Sequence, residues 1–401
     1  MKVAIIGAGA AGCFCAVNLK RALPDADVTV LERGRRPLAK VAITGGGRCN
    51  LTNSFLEIND LREAYPRGAR LMQRLFRQFS PAETMRWWED EGVQLVTQDD
   101  QCVFPRSQNA MQIVDTLLQD MQRMGIRILT ESKVTCIRPA DGGFDVSFNN
   151  VTEHFERVVV TTGGSPRMEG LSFLPELKIE HPVPSLFALN VGDGPLHDLT
   201  GIVVANTPVS IAGTKFKATG DLLITHFGLS GPAILRLSSY AARHLAENDY
   251  HVTLCINWMQ GRTEDEVRSM LLDYGQSFRQ VTNLHPEHLT ARHWSMLLAR
   301  AGVSESRRWD TLPAKELNRL AAVLTADTYI TEGRRAYKAE FVTCGGVALS
   351  EIDSNTLESK RYPELYLAGE VLDVDAITGG FNLQAAWTMG YVVAKSIAQP
   401  Q

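Results

Sequence analysis

Three glycines and an acid near the start of the chain have the spacing that suggests chemistry most directly. Gly7-x-Gly9-x-x-Gly12 follows a short apolar strand and opens a helix, and Glu32 ends the next strand. In such a βαβ unit the first glycine permits a tight turn, the second lets backbone approach a pyrophosphate, and the third lets the helix pack on the strand. The acid accepts from ribose hydroxyls, so the segment predicts dinucleotide binding. The predicted contacts are Gly7, Gly9, Ala10, Ala11, Gly12, Glu32 and Arg33. For Arg33, a side chain that is merely solvated is an equal alternative to a contact with the ribose.

A second concentration of glycine and polar residues spans Thr44 to Asn53, with the sequence TGGGRCNLTN. Consecutive glycines expose backbone N–H groups and Arg48 adds a fixed charge, which suits a loop lying against phosphate and flavin. Cys49 has no second cysteine nearby in the sequence, so a packing or flavin contact is favoured over redox thiol chemistry. The candidate contacts in this loop are Gly46, Gly47, Arg48, Cys49 and Asn50.

Two later strands also end in glycine-containing segments. One strand precedes Thr162-Gly163-Gly164, and Leu365–Leu367 precedes Gly369-Glu370 and Asp373. An α/β sheet presents its ligand-facing carboxyl edge at such positions. The turn Thr378–Gln384 then opens a final helix over Leu383–Ser396, whose positive N-terminus suits the N1–C2=O edge of a flavin. The candidate contacts here are Thr162, Gly163, Gly164, Gly369, Glu370, Asp373, Gly379, Gly380, Phe381 and Asn382.

Length and composition limit the classes of protein. The chain has 401 residues, 44% of them hydrophobic, which predicts two or three domains. A net charge of -4 argues against a general nucleic-acid-coating protein. The seven cysteines are scattered and never spaced as CxxC, so no disulfide framework and no metal site are expected and a cytoplasmic location is favoured. No apolar stretch approaches a membrane span, and we expect neither membrane contact nor a stable protein partner.

The order of predicted elements indicates a discontinuous fold. Strands between Ile126 and Thr161 suggest that a small antiparallel excursion, a short separate sheet, interrupts the main sheet. The segment Arg67–Gln78 looks helical. The predicted domains are an α/β, Rossmann-like nucleotide-binding domain over 1–186 and 339–401, a β-rich inserted domain over 187–262 with about 326–338, and a helical subdomain over 263–325.

These motifs together resemble the bacterial aminoacetone oxidase-like family of FAD-binding, NAD(P)/FAD-dependent oxidoreductases. The residues that carry the resemblance are Gly7–Gly12, Lys40–Asn53, Leu222–Pro232, Thr343–Val347 and Leu365–Gln384. The resemblance implies FAD as cofactor, with an inserted β-barrel-like domain and a helical subdomain, and Lys40 and Val134 join the expected FAD contacts. One departure is the segment Ser165–Pro184, which is shorter than usual in the family and marked by prolines, so the substrate-side wall is expected to differ.

The predicted activity is flavin hydride or electron transfer with a small-molecule substrate, either amine oxidation or carbon–carbon double-bond reduction. No second strand-GxGxxG-helix unit is present, so NAD(P)H is expected only as a transient donor. The catalytic candidates are Arg48 and His226; the histidine is a general acid or base, or a structural hydrogen-bonding group.

Two alternatives stay open. One is a flavin-dependent RNA base reductase of the dihydrouridine-forming type, since basic residues in two regions could hold phosphates. The first region is a predicted helix face with Arg67, Arg70, Arg74 and Arg77; the second contains Arg292, Arg300, Arg307, Arg308, Lys315, Arg319, Arg334, Arg335 and Lys338. The other alternative is a non-catalytic flavin-binding protein.

Overall fold

The structure, a computed structural model, describes residues 1–335 and 342–399 and divides into two compact units. The first unit runs from Met1 to Val183 and resumes at Val342; the second begins at Pro184.

The strands are β1 (Lys2–Ile6), β2 (Asp27–Leu31), β3 (Thr52–Asn53), β4 (Leu95–Thr97), β5 (Cys102–Pro105), β6 (Arg127–Leu129), β7 (Val134–Ala140), β8 (Gly143–Phe148), β9 (Val151–Phe155), β10 (Arg157–Val160), β11 (Ile179–Ser185), β12 (Leu189–Val191), β13 (Val203–Ile211), β14 (Lys217–Thr225), β15 (Gly228–Ser230), β16 (Thr253–Ile256), β17 (Asp327–Arg334), β18 (Val342–Val347) and β19 (Leu365–Leu367). The helices are α1 (Ala10–Ala22), α2 (Ala39–Gly47), α3 (Leu61–Ala64), α4 (Ala69–Leu75), α5 (Pro81–Asp90), α6 (Ala110–Arg123), α7 (Pro232–Tyr240), α8 (Ala242–Glu247), α9 (Glu264–Tyr274), α10 (Ala291–Ala301), α11 (Ala314–Ala326) and α12 (Phe381–Ala398).

A parallel sheet forms the centre of the first unit. Its strand order is β19-β10-β1-β2-β6, and every neighbouring pair is parallel. The strands are short apolar runs with buried side chains, as expected for a sheet covered on both faces. Helices α1 and α12 pack closely, since a Cβ at Gly390 would lie 2.6 Å from the Ala11 carbonyl oxygen. This arrangement confirms the Rossmann-like α/β class.

Two small antiparallel sheets accompany the central one. Strands β7, β8 and β9 form the predicted excursion, and β5 pairs with both β3 and β4. The helix predicted over Arg67–Gln78 is shorter, because Gly68 adopts a φ of 82° and α4 starts only after it. The final helix α12 starts at Phe381, two residues before the predicted start.

The second unit contains a closed six-stranded barrel in the order β12-β15-β14-β13-β16-β17. This confirms the expected β-barrel-like insertion, although α7 and α8 inside the β-rich segment were not predicted. One hydrophobic core includes barrel residues such as Leu254 and helical residues such as Trp294 and Leu320. Barrel strands and helices α9–α11 therefore share an interior, while the predicted division at 262–263 stays a prediction.

Residues 336–341 contain the predicted boundary at 338–339, which lies outside the described residues, as does Lys338. Among the helices of the described residues, none combines the length and apolar character that a membrane span requires.

Candidate functional site

Four segments named from the sequence follow neighbouring parallel strands at the same edge of the central sheet. Gly7 follows β1, Glu32 follows β2, Thr161–Gly164 follows β10 and Ala368–Glu370 follows β19. These strands occupy consecutive positions in the sheet, so their carboxyl ends place the four segments side by side. The fold thus brings the ends of the chain together in one site.

The three glycines of the first motif have three different surroundings. Gly7 has a φ of 107°, and a Cβ there would lie 2.5 Å from the Thr161 carbonyl oxygen. A Cβ at Gly12 would lie 2.0 Å from the Gly7 carbonyl oxygen, so this glycine allows the helix to approach the strand. A Cβ at Gly9, in contrast, would meet no atom within 4 Å. The middle glycine therefore borders open space, where a ligand can approach the backbone.

Glu32 is held by the backbone on both sides of it. One carboxylate oxygen accepts from the Ala8 N–H at 2.9 Å and the other from the Gly34 N–H at 2.7 Å. The side chain is half-buried, whereas Arg33 beside it is exposed. The carboxylate has lone pairs to spare for hydroxyl donors at the end of β2.

The triple-glycine segment is a left-handed turn at the end of α2. Gly45, Gly46 and Gly47 have φ values of 57°, 68° and 84°, and no atom lies within 4 Å of a Cβ built at Gly46 or Gly47. The exposed Arg48 side chain donates from Nε to the Gly45 carbonyl at 3.1 Å. Its guanidinium carbon lies 4.6 Å from the ring centroid of Phe104, a cation–π contact that orients the side chain.

Cys49 follows the turn at a positive φ of 61° and is fully buried. Burial raises the pKa of its thiol to about 12, although a hydrogen bond with Thr44 acts in the opposite direction. A protonated, buried thiol is a poor nucleophile, which supports the packing role over redox chemistry.

The segment after the triple glycine binds directly to the turn that opens α12. The Asn50 amide, in the orientation that satisfies both its groups, accepts from the Gly380 N–H at 3.2 Å and donates to the Thr52 carbonyl at 3.0 Å. Asn53 Nδ2 donates to the Gly379 carbonyl at 3.1 Å. A Cβ at Gly380 would lie 2.2 Å from the Thr52 carbonyl oxygen. Two motifs far apart in the sequence thus form one structural element.

The N-terminus of α12 is open to an electron-rich ligand. Its N-cap, Gly380, has a φ of 87° and provides no side-chain cap, and the first turn carries no acid. The Asn382 side chain turns back to accept from the Ala376 N–H at 2.9 Å and to donate to its carbonyl at 3.0 Å. Helix α1 begins in the same way at Gly9, without a side-chain cap or an acid. Neither helix therefore has an N-cap side chain or a first-turn acid to offset its positive dipole end, although the Gly380 N–H at the start of α12 binds Asn50.

The loop after β19 is tied to β18 by two acids. Glu370 accepts from the Thr343 N–H at 2.7 Å, and Asp373 accepts from the Gly345 N–H at 3.1 Å. Lys40 Nζ lies 3.8 Å from a Glu370 carboxylate oxygen. A Cβ at Gly164 would lie 2.7 Å from Glu370, so this predicted residue is part of the same group.

The remaining predicted residues differ in whether they lie beside Glu370 and Glu32. Thr162 and Gly163 follow β10 directly, with a Cβ at Gly163 3.8 Å from Glu370. Val134 opens β7, after a segment in which the Ser132 N–H donates to the Glu32 carbonyl at 2.8 Å. His226 belongs to the second unit, where it is exposed in the two-residue turn between β14 and β15. Its catalytic role stays a prediction.

The basic helix face predicted over Arg67–Arg77 is wrong at both ends, because Arg67 precedes α4 and Arg77 follows it. The half-buried Arg67 guanidinium forms a two-pronged ion pair with the fully buried Asp375 carboxylate. Arg70, Arg74 and Arg77 are exposed. In the second basic region, acidic partners accompany three arginines: Arg300 pairs with Asp327, Arg307 with Glu316 and Arg308 with Asp310.

Two buried polar residues that sequence reasoning did not select support the site. The Thr161 hydroxyl donates to the Gly7 carbonyl at 2.8 Å and fixes the turn after β1. Gln384, in α12, donates from Nε2 to the hydroxyls of Thr84 and Thr388 at 2.8 and 2.9 Å and accepts from the Thr52 hydroxyl. The sequence pattern that could have identified Gln384 is its spacing of four residues from Thr388 on a largely apolar helix.

These features fit FAD. Open space beside Gly9, Gly46 and Gly47 leaves room where side chains would block a ligand. The N-terminus of α1 suits a pyrophosphate, Glu32 a ribose, and the N-terminus of α12 the electron-rich edge of an isoalloxazine.

Comparisons with known proteins agree. Residues 1–396 match the family model described as HI0933-like protein Rossmann domain. The chain is 29% identical to the ribosomal RNA dihydrouridine synthase of Escherichia coli (strain K12), over 98% of this chain and 97% of that protein. It is 27% identical to the 3-dehydro-bile acid delta(4,6)-reductase of Clostridium scindens, over 99% of both.

A solved structure, the 3-ketosteroid delta1-dehydrogenase from Sterolibacterium denitrificans, superposes with a TM-score of 0.51 at 10% identity, over 99% of both chains. At that identity the likeness shows the fold alone. The family match spans almost the whole chain and agrees with the nucleotide-binding edge. The chain belongs to the HI0933-like family of Rossmann-fold proteins and is an FAD-dependent oxidoreductase.

Proposed function

We propose that this oxidoreductase reduces an activated carbon–carbon double bond. The observation that carries the proposal is that two relatives covering nearly the whole chain are named for such reductions. Dihydrouridine is uridine with one ring double bond saturated, and a delta(4,6)-reductase saturates ring double bonds. In the uridine ring and in the bile-acid ring system alike, the double bonds that are reduced are conjugated to a carbonyl group, which makes them acceptors of hydride. We therefore propose for this chain the reaction that the two relatives share, and not the substrate of either one.

The proposed role of the residues is to bind and orient. When bound, FAD supplies the hydride. The N-terminus of α1 and Gly9 hold the pyrophosphate, Glu32 accepts from the ribose, and the N-terminus of α12 faces the edge that gains negative charge on reduction. Arg48 is the candidate for orienting the substrate carbonyl, since its charge is exposed beside the open glycine turn.

RNA is the second candidate for the substrate. A relative with a ribosomal RNA activity favours it, as do the exposed Arg70, Arg74 and Arg77. The basic region in the second unit supports it less, because carboxylates compensate several of its arginines. Three exposed arginines near one helix, none of them in an ion pair with an acid among the described residues, can contact successive phosphates.

The electron donor and the compartment are part of the proposal. We propose NADH or NADPH as a transient donor, because the chain carries one dinucleotide motif and that motif is assigned to FAD. We propose a cytoplasmic location on the ground that all seven cysteines are free thiols.

The test is anaerobic reoxidation of the reduced holoenzyme. The flavin is reduced with a chemical reductant, and its visible absorbance is followed after addition of ribosomal RNA, uridine or a 3-keto-4,6-diene bile acid. The proposal expects one conjugated acceptor to restore the oxidised spectrum, with the saturated product detected by mass spectrometry. Reoxidation by RNA but not uridine identifies a base reductase, and that by the bile acid a small-molecule reductase. Reoxidation only by oxygen or by an amine-derived imine would overturn double-bond reduction.

A further inference from the structure

The loop between β19 and α12 is held from one side by a short segment, Tyr65–Gly68, which the proposed chemistry does not use. The loop carries Asp373 and Asp375 and ends at the turn that opens α12. The segment lies between α3 and α4, more than 300 residues earlier in the chain.

Four contacts join the segment and the adjoining Ala64 to the loop and to the start of α12. The Arg67 guanidinium pairs through two nitrogens with the Asp375 carboxylate, and the backbones of these two residues form an antiparallel bridge. The buried Tyr65 hydroxyl donates to the Phe381 carbonyl at 2.8 Å. The Ile377 N–H donates to the Ala64 carbonyl at 2.9 Å. These contacts reach both the middle of the loop and the first residue of α12.

Gly68 makes the approach possible. It adopts a φ of 82°, and a Cβ there would lie 2.6 Å from a methyl carbon of Val374. The segment and the loop are therefore packed so closely at this point that no side chain fits at position 68 without displacing Val374.

The ion pair lies beside a second carboxylate and a buried thiol. Single ligand atoms of Cys344, Asp373 and Asp375 lie within 4.8 Å of one another, and a positive charge beside two close carboxylates reduces their repulsion. The Arg67 guanidinium provides positive charge at this place. Burial disfavours its charge, but the neighbouring Asp375, together with Cys344 and Asp373, more than offsets this, so the pKa of Arg67 is raised.

We propose that Arg67, with Tyr65, is a positioning residue that fixes the N-terminus of α12 against the flavin and thereby raises the flavin's reduction potential. The inference rests on the FAD assignment and not on the identity of the substrate. A helix N-terminus stabilises the reduced, anionic flavin only while it points at that edge. The expected contribution is electrostatic and depends on orientation, so it is lost when the loop can shift.

The experiment uses full-length holoenzyme and compares Arg67→Met, Asp375→Asn and the double variant Arg67→Met/Asp375→Asn with wild type. The readouts are the midpoint potential of the bound flavin, the fine structure of its visible absorbance and its dissociation constant. The double variant removes one charge of each sign, so any remaining shift of the potential reports orientation rather than net charge. Arg86→Met, an exposed arginine in α5, is the matched control.

We expect the double variant to have a more negative potential, a blurred absorbance spectrum and FAD affinity weaker by about tenfold to hundredfold. Arg67→Lys should restore part of the potential, and Arg86→Met should match wild type. A double variant that folds and keeps the wild-type potential and affinity overturns the proposal.

Tyr65→Phe covers the case in which the charge variants fail to fold. It removes only the hydroxyl that binds the Phe381 carbonyl, and we expect a smaller shift of the potential in the same direction. An unchanged potential in this variant overturns the proposal. Wild-type protein that fails to take up FAD contradicts the proposed function itself, which distinguishes the two failures.

Discussion

The ligand edge of the first unit and the apolar core of the second unit depend on different kinds of residue. The ligand edge contains glycines at positive φ, such as Gly7 and Gly45–Gly47, and a Cβ at Gly9 would meet none of the described atoms within 4 Å. The second unit surrounds one apolar core in which Trp258, Trp294 and Trp309 are buried. The difference shows where each unit is vulnerable. At the ligand edge, one added methyl group can block folding or ligand binding. In the core of the second unit, the positions most sensitive to substitution are the few buried polar groups.

The largest effect is expected from two glycines that differ only in what surrounds them. Gly12→Ala should prevent correct folding, because its Cβ would overlap the Gly7 carbonyl. Gly9→Ala should fold with wild-type stability, because its Cβ meets only open space, yet lose FAD affinity on the order of 100-fold.

Thermal unfolding of the apoproteins and FAD titration measure the two effects separately. Wild-type FAD affinity in Gly9→Ala would show that the open space is not the pyrophosphate site.

A buried charge in the second unit should give the next largest effect. Asp327 is 2% exposed and is bound by Arg300, by the Trp258 indole N–H at 2.9 Å and by the Tyr329 hydroxyl at 2.6 Å. Arg300→Met leaves the carboxylate without its cation, which should lower the free energy of unfolding by about 3–5 kcal/mol.

Urea unfolding measures this loss, with Arg292→Met, an exposed arginine on the same helix, as the control. Equal stability in the two variants would mean that the ion pair contributes nothing. FAD affinity of the folded variant should remain that of wild type.

The smallest effect depends on pH and on His293. This residue is 0% exposed, and neither ring nitrogen has a hydrogen-bond partner among the described residues. Burial, helped by the nearby His288, lowers its pKa from 6.5 to about 4. The unfolded chain therefore binds more protons between these values, and stability is lost as pH falls from 6.5 toward 4.

The expected slope from this group is at most about 1.4 kcal/mol per pH unit within that window. In His293→Leu this contribution to the acid sensitivity should vanish, which urea unfolding at several pH values will measure. An identical pH dependence in both proteins would contradict the assignment.

Sequence reasoning selected residues that the fold brings together where the predicted chemistry depends on a local pattern. Gly7–Gly12, the triple glycine and the turn Gly379–Asn382 each carry such a pattern, and all three lie in the first unit. Arg67 was misassigned because its partner Asp375 is 308 positions away, while a helical pattern considers only neighbours three or four residues apart. Thr161 and Gln384 were missed for the same reason, since the Thr161 contact with Gly7 and the Gln384 contacts with Thr52 and Thr84 join residues far apart in the sequence.

The discontinuity of the first unit also determines when the protein can acquire its cofactor. Strand β19 and helix α12 follow the barrel unit in the chain, so they are synthesised after it. Until then α1 lacks the helix that packs against Ala11 through Gly390, and the sheet lacks its β19 edge. The second unit has its own core and can fold first, as domains commonly do during synthesis. The FAD site as proposed includes segments that follow β19 and open α12, so it can be completed only after the barrel unit has been synthesised.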